Sequence, residues 1–185
     1  MPTQEIPLTW GTYIWEADLN FTGYGQGSPR IGIDTSYNKM YRPLLKFDLG
    51  AISGSVVSAT FNFYCDKTAG ANSGFTIHKV NKAAATNATW YYANATSLIW
   101  TANGCSATEE DRTAASLASH QFASTGWNSI PVTNLSLFNT WFGSQRIIVL
   151  INTETPTDYA SIALSPAPYL AVEYTSSLVG GIQIF

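Results

Sequence analysis

Charge is what this chain has least of: Lys, Arg, Asp and Glu make up 11% of its 185 residues, against about 25% in a typical soluble domain. Nine Lys and Arg against twelve Asp and Glu leave a net charge of -3, and the cations form no run. That excludes the clustered phosphate contacts a nucleic-acid partner needs. The two cysteines, Cys65 and Cys105, are too few for a disulfide framework. They read as free thiols, with Cys65 alternating with Phe61 and Phe63 toward a core. The two histidines, His78 and His120, stand in no recognisable nucleophile context, and no Gly-x-Ser-x-Gly elbow or zinc-ligand spacing accompanies them. Both are expected to be satisfied surface or edge residues. No stretch approaches the ~18 apolar residues of a membrane span. The opening "MPTQEIPLTW" lacks the basic start and apolar run of a secretion signal. Either a leader has been removed or the protein leaves its cell by another route, such as lysis.

What is present is apolar and aromatic: 45% and 14% of the chain, respectively. A single domain of this length buries roughly 70% of its unfolded surface without a staple. Solubility then rests on Ser, Thr, Asn, Gln and Gly, a surface chemistry common in extracellular modules, fibres and virion proteins. The dominant period is two. "TYIWEA", "RIGID", "YRPLLKFDL", "VVSATFNFYCD", "GFTIHKV", "GWNSIPV", "QRIIVLINT", "YASIAL" and "YLAVEYT" read as strands between Gly, Pro, Asn and Ser clusters. Many short strands of this kind indicate an all-β sandwich or barrel. The near-continuous "RIIVLIN" predicts a central strand buried on both faces. One short helix is expected in "VTNLSLFNTWFGS", capped by Thr133 or Asn134, with Leu135, Phe138, Trp141 and Phe142 at helical spacing and Gly143 as its stop. "EEDRTAASLAS" is ambiguous between a helical turn and a strand entry.

The stretch "YRPLLKFDL" carries three charges inside a hydrophobic strand. Tyr41, Pro43, Leu45, Phe47 and Leu49 share one face and read as core, whereas Arg42, Leu44, Lys46 and Asp48 share the other. Lys46 and Asp48 are expected to pair, with Arg42 beyond, in an ion trio that sets register more than stability.

In order along the chain, "TYIWEADLNFTGYGQGSPRIGID", "YRPLLKFDL", "VVSATFNFYC", "ATWYYANATSLIWTANGC", "GWNSIPVTNLSLFNTWFGS" and "SPAPYLAVEYT" resemble the DNRLRE-type β-sandwich domain over residues 12–175. The likeness includes its Asn-x-x-x-Tyr-Gly turn (Asn20 to Gly25), its Lys-Phe-Asp-Leu strand and its Pro-Tyr-Leu-x-Val-x-Tyr last strand. Pro43 departs from the pattern and argues against a mid-sheet place for its strand, because proline donates no ladder hydrogen bond. The resemblance implies a jelly-roll β-sandwich of two antiparallel sheets, similar to carbohydrate-binding modules and found also in phage virion proteins.

A single domain over residues 1–177 is therefore expected, followed by an apolar arm over 178–185. In the arm, Leu178, Val179, Ile182, Ile184 and Phe185 call for a groove, either this domain's own sheet edge or a neighbouring subunit reached by strand addition. The loop aromatics Tyr37, Tyr41, Tyr91 and Tyr92 lie among Asn, Thr and Ser, a composition that suits the C–H faces and hydroxyl rims of sugars. At least one of Tyr91 and Tyr92 must be exposed if that segment is extended, whereas Trp90, Trp100, Trp127 and Trp141 are expected in the core. No cofactor is expected, although Asp18 and Asp34 are the candidates for a structural calcium by likeness to other jelly-roll modules. Glu109, Glu110 and Asp111 read as a solvated loop. The chain is expected to be no enzyme. The favoured role is a structural or decoration protein of a virion, at the phage head or tail surface. It would bind other subunits, dock through its termini and offer its loops to glycans. The alternative is a carbohydrate-binding module of a secreted polysaccharide-active enzyme or cell-surface adhesin. Either role places the protein on a virion surface or outside the cell, without nucleic-acid or membrane partners.

Overall fold

The computed structural model describes residues 1–175 apart from 26, 53, 69–73, 95–96, 142–145 and 154–157. The arm residues Leu178, Val179, Ile182, Ile184 and Phe185, like Phe142 and Gly143, lie outside the described residues. Twelve strands and one short helix follow one another: β1 (Thr3–Trp15), β2 (Arg30–Asp34), β3 (Lys39–Phe47), β4 (Val56–Lys67), β5 (Gly74–Lys79), β6 (Tyr92–Asn94), β7 (Leu98–Ile99), β8 (Ala118–Gln121), β9 (Gly126–Pro131), α1 (Leu135–Asn139), β10 (Arg146–Asn152), β11 (Tyr159–Ile162) and β12 (Tyr169–Tyr174). Among the described residues, no helix is long and apolar enough to cross a membrane.

The fold is an all-β sandwich, antiparallel at every pairing between these strands among the described residues. One layer runs from the first residues of β1 through β12 and β4 to β9. The other runs from the second half of β1 through β3, β10 and β5 to β8. The two layers are not separate sheets. β1 belongs to both: Thr3–Pro7 pair with β12, a register shift follows between Leu8 and Trp10, and Trp10–Trp15 pair with β3. At the far end of β1, β2 and β11 join β3 to β4. A strand with an irregularity at the corner can thus serve both layers of a sandwich. The Thr3–Pro7 stretch was not among the expected strands, since Glu5 and Pro7 disguise its alternation. Its one large apolar residue, Ile6, is buried against the common core.

Between the layers, alternate residues of β4 (Phe61, Phe63, Cys65), β3 (Leu45, Phe47) and β10 (Ile148, Leu150) interlock. The other residues of β10, Ile147 and Val149, belong to a second apolar cluster with Leu44 and Ile14, so "RIIVLIN" is buried on both faces as its pattern predicts. The second cluster is roofed by the long connection between β5 and β8, which supplies Trp90, Trp100 and Cys105 and contains the small ribbon β6–β7. Cys65 and Cys105 are free, and they sit in different clusters. Burial pushes the first thiol up to about 11 and the second to about 12, so both remain protonated and apolar. Helix α1 is only five residues long. Asn134 caps it, and the Asn139 amide exchanges two hydrogen bonds with the backbone of Val56, tying it to β4. "EEDRTAASLAS" resolves as the entry to strand β8.

The structure revises several expectations. No ion pair joins Lys46 and Asp48 among the described residues. Instead the Arg42 guanidinium lies 4.8 Å from the centroid of the Trp90 ring and donates to Gly104 O and Ser106 Oγ. Lys46 Nζ lies 5.7 Å from the Trp10 ring, and the Asp48 carboxylate accepts from Gly50 N. A cation over an indole face keeps a favourable partner where no carboxylate is within reach. Pro43 lies mid-sheet after all. Its partner on β1, Tyr13, turns its carbonyl away to Gly23 N, so this is a non-hydrogen-bonded pair and the proline nitrogen points to the other edge of β3. There β2 pairing stops at Tyr41 and β10 pairing begins at Leu44, and the gap needs no donor. His78 is buried, on a strand flanked by β10 and β8. Its ring contacts Thr113 O and Thr76 Oγ1, and burial followed by the neighbouring Arg112 lowers its pKa. Asp111 is not solvated but fully enclosed. Trp90, Trp100 and Trp141 are buried, whereas Trp127 is 49% exposed.

Candidate functional site

At the end of the sandwich where β1 finishes, three chain segments meet. The first is the β2–β3 hairpin tip. Asp34 and Lys39 are its last pair, Ser36 N donates to Asp34 Oδ1, and Asn38 takes a φ of 53°. This turn holds Tyr37 at 63% exposure. The second is the loop after β1, in which Asp18 accepts from Asn20 N and the carbonyl of Asp18 from Phe21 N. The third is the first part of the roof. There Thr22 Oγ1 donates to Thr86 O, and the backbone N–H of Tyr91 donates to Leu19 O.

Aromatic side chains make the junction. The Trp15 ring stacks on Tyr41 at 5.7 Å, meets Phe21 edge-on at 5.7 Å and meets Tyr37 edge-on at 5.3 Å. Across the loop that carries Leu19 and Phe21, Tyr91 and Tyr92 stand perpendicular to each other at 4.7 Å, both part-exposed. Thr89 Oγ1 accepts from both of their backbone N–H groups and so shapes that turn. The loop after β1 thus touches the Tyr37 turn through Phe21 and Trp15, and the turn of Tyr91 and Tyr92 through Leu19 O; this edge, with Asn20, Asn38 and Asn94 close by in sequence, is the rim.

Tyr41 belongs beneath the rim rather than on it. It is 3% exposed, so its ring is not available to a ligand. It packs edge-on against Tyr13 and Tyr159, and the Arg30 guanidinium lies between these rings, 4.8 to 5.5 Å from the three centroids. Arg30 Nη1 donates to the Tyr41 hydroxyl, which donates in turn to Asp34 Oδ2. Burial and then the bond to Asp34 push the Tyr41 pKa up to about 12, so the phenol keeps the proton it donates. Asp34 is thus committed to Tyr41 and Ser36, and Asp18 to its own turn. Among the described residues no three His, Cys, Asp or Glu gather as metal ligands.

The roof beside the rim is built on Asp111. Its carboxylate accepts from the backbone N–H groups of Thr101, Ala102 and Ala107 and pairs with Lys82 at 3.0 Å. Burial alone would raise its pKa, but these donors outweigh burial and lower it. Lys82 also donates to Ile99 O and Thr101 Oγ1. One carboxylate thereby fixes the chain that carries Tyr91 and Tyr92 to the chain that returns toward β8. In sequence it looks like one of three adjacent surface acids, and only the enclosed amides mark it out.

No protein-family model and no curated protein matches this sequence. The likeness to the DNRLRE-type domain rests on the ordered motifs alone.

Proposed function

We propose that this protein is a non-catalytic glycan-binding and decoration module that meets sugar through the rim carrying Tyr37, Tyr91 and Tyr92. The observation behind this reading is the meeting of three separate segments, two of which carry exposed or part-exposed phenol rings with asparagines nearby in sequence. Such rings present flat apolar faces at little cost in conformational entropy, with amides close by for hydroxyl groups. On immobilised polysaccharide, Tyr37→Ala and the double variant Tyr91→Ala/Tyr92→Ala are each expected to lower retention about three- to tenfold, or roughly 0.6–1.4 kcal/mol. Retention equal to that of the unaltered protein in both would remove the rim from any sugar site.

Docking through the termini at the opposite end is the second part of this reading. Tyr174 N donates to Pro2 O and Thr175 N to Ser55 O, so the first residues and the end of β12 emerge together. The rim lies thirteen residues away along β1, roughly 40 Å of strand. A module anchored at one end and reaching outward with the other fits the surface of a virion. Carriage on a secreted polysaccharide-active enzyme or adhesin is the alternative setting. Deleting residues 180–185 is expected to change native mass or attachment and to leave sugar retention intact. Unchanged mass and attachment would remove the arm from assembly.

A further inference from the structure

The outer side of the other layer carries a feature that the rim does not explain. Along β4, Ser58, Thr60, Asn62, Tyr64 and Asp66 alternate on the side away from the common core, with Asn62 itself buried, and Thr60, Asn62 and Tyr64 lie opposite Pro131, Ser129 and Trp127 of β9. Small polar side chains on this face surround a group of rings, of which the indole of Trp127 is the most exposed. The indole is held in place. Tyr64 stands edge-on to it at 5.6 Å and 87°, and Tyr169 of β12 at 5.5 Å and 65°. Fixing a ring before a ligand arrives reduces the entropy lost on binding.

The polar groups around it are fixed as well. Asp66, two residues beyond Tyr64 on the same face and about 7 Å along the strand, accepts from Ser28 Oγ at 2.6 Å and from Ser161 Oγ. It remains exposed, so its carboxylate is aimed but not used up. Asn62 accepts from Ser129 Oγ and donates to Thr60 O. The nearest cation in sequence, Lys67, turns instead to Asp158 at 2.9 Å and to the Tyr159 ring.

From this arrangement we infer a second ligand site on the outer face of β4 and β9, in which Trp127 stacks on one pyranose ring of a neutral glycan and Asp66 accepts its hydroxyls. Charge selects the ligand class. Among the described residues the face offers a carboxylate, and its nearest lysine in sequence, Lys67, is already paired with Asp158, so uronate and sulfate groups are repelled. The site lies on the side of the sandwich away from the roof and does not depend on the rim.

The decisive experiment uses a variant with the rim disabled, Tyr37→Ala/Tyr91→Ala/Tyr92→Ala, on an array of neutral, uronate-bearing and sulfated oligosaccharides. It is expected to retain neutral glycans and to lose them roughly tenfold when Trp127→Ala is added. Asp66→Asn is expected to weaken the same spots several-fold without altering the melting temperature, since Asp66 is exposed. Absence of neutral-glycan binding in the rim-disabled variant would overturn the site, and so would binding unaffected by Trp127→Ala. A native dimer that Trp127→Ala converts to monomer would overturn it in favour of an interface between copies. Failure of the rim reading is recognised separately, by full binding in the rim-disabled variant.

Discussion

Replacing Asp111 with alanine is expected to destabilise the protein by about 3–5 kcal/mol, the usual consequence of removing one partner from an enclosed ion pair. Three backbone N–H groups lose their acceptor, and Lys82 loses its carboxylate while its side chain is only 18% exposed. In a domain of this size that corresponds to a fall of roughly 6–20 °C in melting temperature. The sign of the pH effect follows from the lowered pKa. A carboxyl group with a folded pKa below its unfolded value stabilises the protein above the unfolded pKa, near 3.9. That contribution disappears as pH falls through the lower folded value. The stability gap between the unaltered protein and Asp111→Asn is therefore expected to be constant above about pH 5 and to shrink below about pH 4. Thermal melts of both proteins across that range measure it. A gap that is the same at pH 3 and pH 7 would show that Asp111 acts without its charge. Since the roof carries Tyr91 and Tyr92, its loosening should also weaken retention on sugar at temperatures below the global melt.

Gly32→Ala has the second large expected effect. Gly32 lies on β2 with a φ of 127°, a conformation that L side chains rarely adopt. An added Cβ would lie 2.4 Å from the carbonyl oxygen of Asp158 and 2.7 Å from the Cα of Tyr159. Both are backbone atoms of the segment that joins the layers, and neither can rotate aside. Strain and forced separation of β2 from β11 together are expected to destabilise by on the order of 3–5 kcal/mol. The displacement would also disturb Arg30 among its three tyrosines, and with it the support beneath Tyr37. A melt within 2–3 °C of the unaltered protein, about 1 kcal/mol at this size, would show that β11 is held far more loosely than its hydrogen bonds suggest.

The parts of the molecule that were legible in its sequence share a local cause. In "VVSATFNFYCD" and "RIIVLIN" the side-chain period of an extended chain shows directly which residues face a core. "GWNSIPV" held a usable signal as well. Its alternation groups Trp127 with Ser129 and Pro131 on one face and opposes them to Ile130 and Val132, which are buried. Its place in a segment resembling the DNRLRE-type domain made the tryptophan read as core, whereas the period assigns it to the outside. Tyr41 shows the reverse: its strand pattern assigns it to the interior, where it lies, although its setting among polar residues suggested a surface ring.

No local pattern could have found the remainder. Arg42 meets Gly104 across 62 residues, and Ser28 meets Asp66 across 38. Asp111 gathers amides on a loop whose path depends on the apolar roof beneath it.

By itself, then, the sequence determined most of the strands, the all-β class and most of the interior, because burial of alternate side chains is decided by neighbours one and two positions away. Tertiary structure alone decided which ring remains in water, which carboxylate is enclosed and which cations lie on indoles. Those outcomes depend on the register between strands and on the course of a long connection. Both arise from pairings between distant parts of the chain.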